Sequence, residues 1–82
     1  MPVPTAPKGR TSSINVASFL ICRGLQLDHA EPRDDRVEFI FDIPPEALAV
    51  QEASYHSGAM VPAFQLLSAL TQLKRLVKQI LL

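Results

Sequence analysis

The side chains with reactive potential in this sequence are two histidines, one cysteine and scattered hydroxyls, and their spacing decides what they can do. His29 stands close to Glu31, Asp34 and Asp35, a set from which a cation site can be imagined. A metal needs ligands at fixed separations on a helix or tight loop, and the HExxH, EF-hand and paired Cys/His spacings that supply them are missing. The segment reads instead as a solvated acidic turn. His56-Ser57 places an imidazole beside a hydroxyl, yet no GxSxG elbow and no third residue would orient the pair for nucleophilic attack. Cys22 lies next to Arg23 near the end of a helix. The cation favours a thiolate and the negative helix end opposes it, so a small buried hydrophobe is the better reading. Gly9, Gly24 and Gly58 are too dispersed to cradle a phosphate. No catalytic, cofactor-binding or metal-binding residue is named, and no enzyme is expected.

Contact with nucleic acid has two candidate carriers. Arg36-Val37-Glu38-Phe39-Ile40-Phe41 is an aromatic strand of the kind that can stack bases, but Glu38 and Asp42 would repel phosphate and the phenylalanines suit a core. Lys74, Arg75 and Lys78 line the face of a helix opposite its leucines and could touch phosphates, although cations near a helix C-terminus also complement its dipole. The net charge is zero, so no global field draws in a polyanion. Locally the charge is uneven: residues 1–30 carry +2, residues 31–52 carry −5 and residues 53–82 carry +3. The acidic middle and basic end are placed to pair within the fold or between subunits.

At 82 residues, 48% of them hydrophobic, the chain is one small domain, rich enough in apolar surface to fold and to keep some of it for an interface. Its mean hydropathy is +0.16. A single cysteine excludes an internal disulfide and suits a reducing cytosol. Without an apolar leader or a run long enough to span a bilayer, the expectation is a soluble cytoplasmic protein.

The elements that must position these groups follow from punctuation and period. Residues 1–11 read as a tail without regular structure, broken by Pro2, Pro4, Pro7 and Gly9, and residues 12–82 as the domain. Ser13 to Arg23 reads as a helix capped by the preceding hydroxyls and ended by Gly24, with Ile14, Ala17, Leu20 and Ile21 inward and Val16 and Phe19 beside them. Leu25 to His29 alternates as a strand, Ala30 to Asp35 as a polar turn, and Arg36 to Ile43 as a second strand with Val37, Phe39, Phe41 and Ile43 on one face. Pro44-Pro45-Glu46 opens a helix to about His56, and Gly58 breaks it. Pro62 opens a last helix to Leu82, whose stripe is Ala63, Leu66, Leu70, Leu73, Val77 and Ile80, widened by Leu67, Leu76 and Leu81. The expected class is α+β: helix, antiparallel β-hairpin, helix, and a long C-terminal helix packed on the hairpin.

Five short stretches resemble a catalogued group of proteins. They are Ala17-Ser18-Phe19-Leu20-Ile21-Cys22-Arg23-Gly24-Leu25, the strand Val37-Glu38-Phe39-Ile40-Phe41-Asp42, and Tyr55-His56-Ser57-Gly58 with Val61-Pro62-Ala63-Phe64 and Leu73-Lys74-Arg75-Leu76. The chain from Ser13 to Val77 resembles domain of unknown function 5659, a family of small, mostly bacterial and phage-associated proteins. The resemblance implies a helix–hairpin–helix fold and brings no catalytic residue, cofactor or substrate.

The expected role is that of a protein-interaction or self-association module. Leu70, Leu73, Val77, Ile80 and Leu81 of the last helix would be its anchors, and a second copy of the chain or another protein its partner. The first half of that helix is expected to cover the Val37–Ile43 strand, leaving the end from Val77 as surplus. The alternative is a small nucleic-acid-associated factor of a phage or mobile element, using Lys74, Arg75 and Lys78 on phosphates.

Overall fold

The computed structural model describes residues 7–81. Six elements follow one another as β1 (Gly9–Thr11), α1 (Ile14–Cys22), β2 (Leu27–Arg33), β3 (Arg36–Phe41), α2 (Pro45–His56) and α3 (Ala63–Leu81). The α+β class is as the sequence predicts, with one strand more than the expected hairpin. Expectations for residues 1–6 and for Leu82 lie outside the described residues.

α1 is delimited by its caps. The Ser13 hydroxyl accepts from the Val16 N–H at 3.2 Å, removing one of the unpaired donors of the first turn. At the other end Gly24 takes a φ of +84°, so that its N–H reaches the Ile21 carbonyl and the Leu25 N–H reaches that of Leu20. Val16, Ala17, Ser18, Phe19 and Leu20 are all buried, so α1 is enclosed on more than the one face its period suggests. Ser18 tolerates this because its hydroxyl donates to the Ile14 carbonyl at 2.8 Å.

The sheet is antiparallel in the order β1-β3-β2, which makes β3 central. The strands depart from the sequence expectation in several places, and β2 begins at Leu27 rather than Leu25. Gly9–Thr11 is a strand rather than part of a tail: Arg10 pairs with Ile40, and the Gly9 N–H donates to the Ile43 carbonyl at 2.7 Å. Ala30–Arg33 is strand rather than turn, and only Asp34 and Asp35 form the loop, Asp34 at a φ of +56°. Pro32 argued for a turn, but β2 is an edge strand, where a missing N–H on the open side costs no ladder bond. A bulge between Leu27 and His29 leaves Asp28 outside the regular register. β3 also stops at Phe41, short of the expected Ile43.

All three helices cover one face of the sheet and share a core with Val37, Phe39 and Phe41. α2 lies over β1, α1 in the middle, and α3 along α1 and over β2 and β3. α3 thus packs on the sheet as expected, with α1 its main neighbour. Tyr55 of α2 meets the Phe19 ring edge-on at 5.5 Å.

Candidate interaction surface

α3 has 19 residues and none is acidic, so its surface is set by apolar positions and by Lys74, Arg75 and Lys78. At about 100° per residue, the side facing α1 and the sheet is centred on Leu73. Leu73 is 2% exposed and Ala69 is 4% exposed, while Leu76, Val77 and Ile80 are half-buried against the core. Of the five anchors named from sequence, Leu73 belongs wholly to the monomer's core, and Val77 and Ile80 also pack there. Leu70 is half-buried, and only Leu81 is open, at 52%.

The expected division of the helix is therefore reversed. Its second half, not its first, seals the core, and the unused apolar surface lies near its start. Phe64 is 82% exposed, Leu67 is 61% exposed, and Met60 in the preceding connection is 92% exposed. Ala63, expected on the buried stripe, is exposed too. Phe64 lies nine positions before Leu73, about 180° around the helix, so it must point away from the core. Flanking Phe64 are two shallow hollows, one bordered by Leu67, Thr71 and Arg75, the other by Ile21, Ala69 and Gln72. A larger groove of about 590 Å³ continues along α3, floored by Ile21, Leu25, Leu27 and Leu76.

Lys74, Arg75 and Lys78 are exposed, and none takes part in an ion pair among the described residues. Three acids of the chain's middle, Glu31, Glu38 and Asp42, pair elsewhere than expected, with the cations of β1 and its approach. Lys8 bridges Asp28 at 3.2 Å and Asp42 at 3.3 Å, and Arg10 bridges Glu31 at 3.2 Å and Glu38 at 3.0 Å. Arg33 also reaches Glu38, at 3.2 Å. These charges spread over the sheet face opposite the helices, and beneath them Ile40, flanked in register by Arg10 and His29, is only 2% exposed. Long stems of charged residues cover apolar surface while their heads stay in water, which accounts for a buried isoleucine on the polar face.

His29 sits within this lattice, 3.0 Å from Asp28 and 3.2 Å from Glu31, rather than beside Asp34 and Asp35. Among the described residues no group of three His, Cys, Asp or Glu side chains converges as metal ligands would. Hydrogen bonding to Asp28, then to Glu31, raises the His29 pKa above its ordinary 6.5, and the same bond with His29, then that with Lys8, lowers Asp28. Partial desolvation works against Glu38, but the Arg33 and Arg10 guanidinium groups outweigh it and lower its pKa. Burial raises the Cys22 thiol, away from the thiolate that reactivity requires.

A raised histidine pKa stabilises the fold fully below the unfolded value and loses that contribution as pH climbs through the folded value. Thermal stability is therefore expected to decline as pH rises upward from 6.5, and His29→Gln to flatten the profile across that window. A parent profile as flat as the variant's would show that the His29 contacts do not hold in solution.

No described helix is long and apolar enough to cross a membrane. Comparison of the chain with protein-family models, with curated proteins and with solved structures finds no match in any of the three.

Proposed function

We propose that the protein is a non-enzymatic interaction module that binds a protein surface, a second copy of itself foremost, through the outer face of α3. One observation carries this reading: Phe64 and Leu67, neighbours at i and i+3, stand 82% and 61% exposed where none of the described residues covers them. Large aromatic and aliphatic side chains grouped in this way are typical of contact surfaces, and single exposed leucines are not.

Phe64→Glu combined with Leu67→Glu is expected to abolish concentration-dependent association in sedimentation velocity while leaving the helical circular dichroism and melting temperature unchanged. Both sites are exposed, so their stability effect should stay within about 0.5 kcal/mol. A parent chain that sediments as a monomer up to millimolar concentration rules out self-association. An unfolded double variant would place these side chains in the core instead.

The alternative, phosphate contact by Lys74, Arg75 and Lys78, draws support from their exposure and from their being in no ion pair among the described residues. Helix geometry fans the three over about 100° of the surface, which suits a scattered solvated rim better than one track along a phosphate backbone.

A further inference from the structure

The exposed large apolar side chains of the described residues are Val50, Met60, Phe64, Leu67 and Leu81, all in α2, α3 and the segment joining them. The sheet contributes none, because its outer face is closed by the ion-pair lattice. α2 and α3 lie over opposite edges of the same sheet with α1 between them, so the helical layer presents two unpartnered helix faces side by side.

The two faces differ in a complementary way. On α2 the side away from Leu48 carries Glu46, Val50 and Ala53, with Ala49 adjacent. Glu46 is exposed and in no ion pair among the described residues, whereas Glu52 lies nearer the core and is held by His56 at 3.8 Å. On α3 the outward side carries Phe64, Leu67, Thr71 and Arg75, with Lys74 and Lys78 beside them. One seam is acidic and, apart from Val50, carries small apolar side chains; the other is basic with larger ones.

We propose that two copies of this chain associate face to face through their helical layers, α2 of each copy packing on α3 of the other. The inference rests on reading α3 as an interaction helix, and it names the partner and the second helix involved. A two-fold axis running along the helices, in the plane between the two facing helical layers, carries α2 of one copy over α3 of its mate and makes the contact twice. Laid antiparallel, the seams are in step: Glu46 meets Arg75, Val50 meets Thr71, and Ala53 meets Leu67, since both advance by three or four residues at a time. Alanines on one side then leave room for the larger side chains of the other.

Charge and area both favour this arrangement over one α3 on another. Two copies of α3 would bring three cations against three with no acid on either helix. A single helix also offers a strip only about 28 Å by 10 Å, against about 800 Å² per partner in a stable interface. The chain measures 45 × 32 × 19 Å between its outermost Cα atoms, and the broad face of that slab has room for the required area.

Charge reversal with cross-rescue tests the proposal. Glu46→Lys with Val50→Lys makes α2 basic, and Lys74→Glu with Arg75→Glu makes α3 acidic. Each variant alone is expected to dimerise at least ten-fold more weakly than the parent in light scattering coupled to size exclusion. Their equimolar mixture is expected to recover a dimer, because both inter-chain contacts then join a basic α2 to an acidic α3 or the native pair. Circular dichroism of each variant verifies that the helices persist. If the α2 variant dimerises like the parent while Phe64→Glu with Leu67→Glu does not, α3 acts without α2: this inference falls and the interaction reading stands. A mixture that stays monomeric also overturns the inference, and a monomeric parent overturns both. Should either variant unfold, the single changes Val50→Glu and Arg75→Glu carry the same test, each expected to weaken the parent dimer.

Discussion

Replacing Leu73 with alanine is expected to destabilise the fold by about 2–5 kcal/mol, the range for removing a buried leucine. The side chain is 2% exposed in the core shared by α1, α2, β3 and α3, and little around it can move to fill the void. A chain of 82 residues has a total stability of about 4–12 kcal/mol, so the variant approaches the threshold of folding. Urea unfolding followed by circular dichroism measures the change. Leu67→Ala, six positions away on the same helix but 61% exposed, supplies the contrast and should change stability by less than about 0.5 kcal/mol. Equal effects from the two would mean that α3 is rotated relative to the arrangement described. This result also separates core from interface, because an anchor used only between chains would leave the monomer's stability unaltered.

Gly9→Val is expected to be the most damaging change in the N-terminal segment. A Cβ built at Gly9 falls 2.7 Å from the Leu48 Cβ and 2.9 Å from its Cδ1, closer than carbon atoms can approach. Leu48 is 4% exposed and the sole buried residue of α2, so it has no room to retreat. Overpacking of this kind costs about 1–3 kcal/mol. The chain can relieve it by releasing β1, but that severs the Lys8 and Arg10 bridges and uncovers one edge of β3. Hydrogen exchange distinguishes the outcomes: a detached β1 loses protection at Gly9, whose N–H donates to the Ile43 carbonyl, and at Thr11 on the same side of the strand, while a strained but intact sheet keeps it. A valine variant as stable as the parent would mean that β1 does not lie against α2.

The Gly9 contact illustrates what sequence reading could not reach. Three prolines and a glycine within ten residues argue locally for a tail, and a three-residue strand is too short to show a period. Only the groove between β3 and α2 turns the missing side chain of Gly9 from a mark of flexibility into a requirement. The position of Phe64 is a different case. Its place opposite Leu73 follows from helical geometry alone, whereas the leucine spacing widens the apolar stripe to include Leu67, which the packed fold leaves 61% exposed. Pro32 misled because a proline excludes a central strand and says nothing against an edge.

What the sequence determined by itself is everything governed by neighbours along the chain. Ser13 and Gly24 bound α1, Pro45 and Gly58 bound α2, the period of two marks β3, and the leucine spacing marks α3, because caps, turns and amphipathic faces act within a few residues. The tertiary structure alone decided which apolar residues are occupied. Leu73, Val77 and Ile80 are taken up by α1 and the sheet, Phe64 and Leu67 are left over, and Glu31, Glu38 and Asp42 of the acidic middle are claimed by Lys8 and Arg10. Burial and ion pairing depend on elements that meet across the fold, and periodicity places a side chain on a face without saying what covers it.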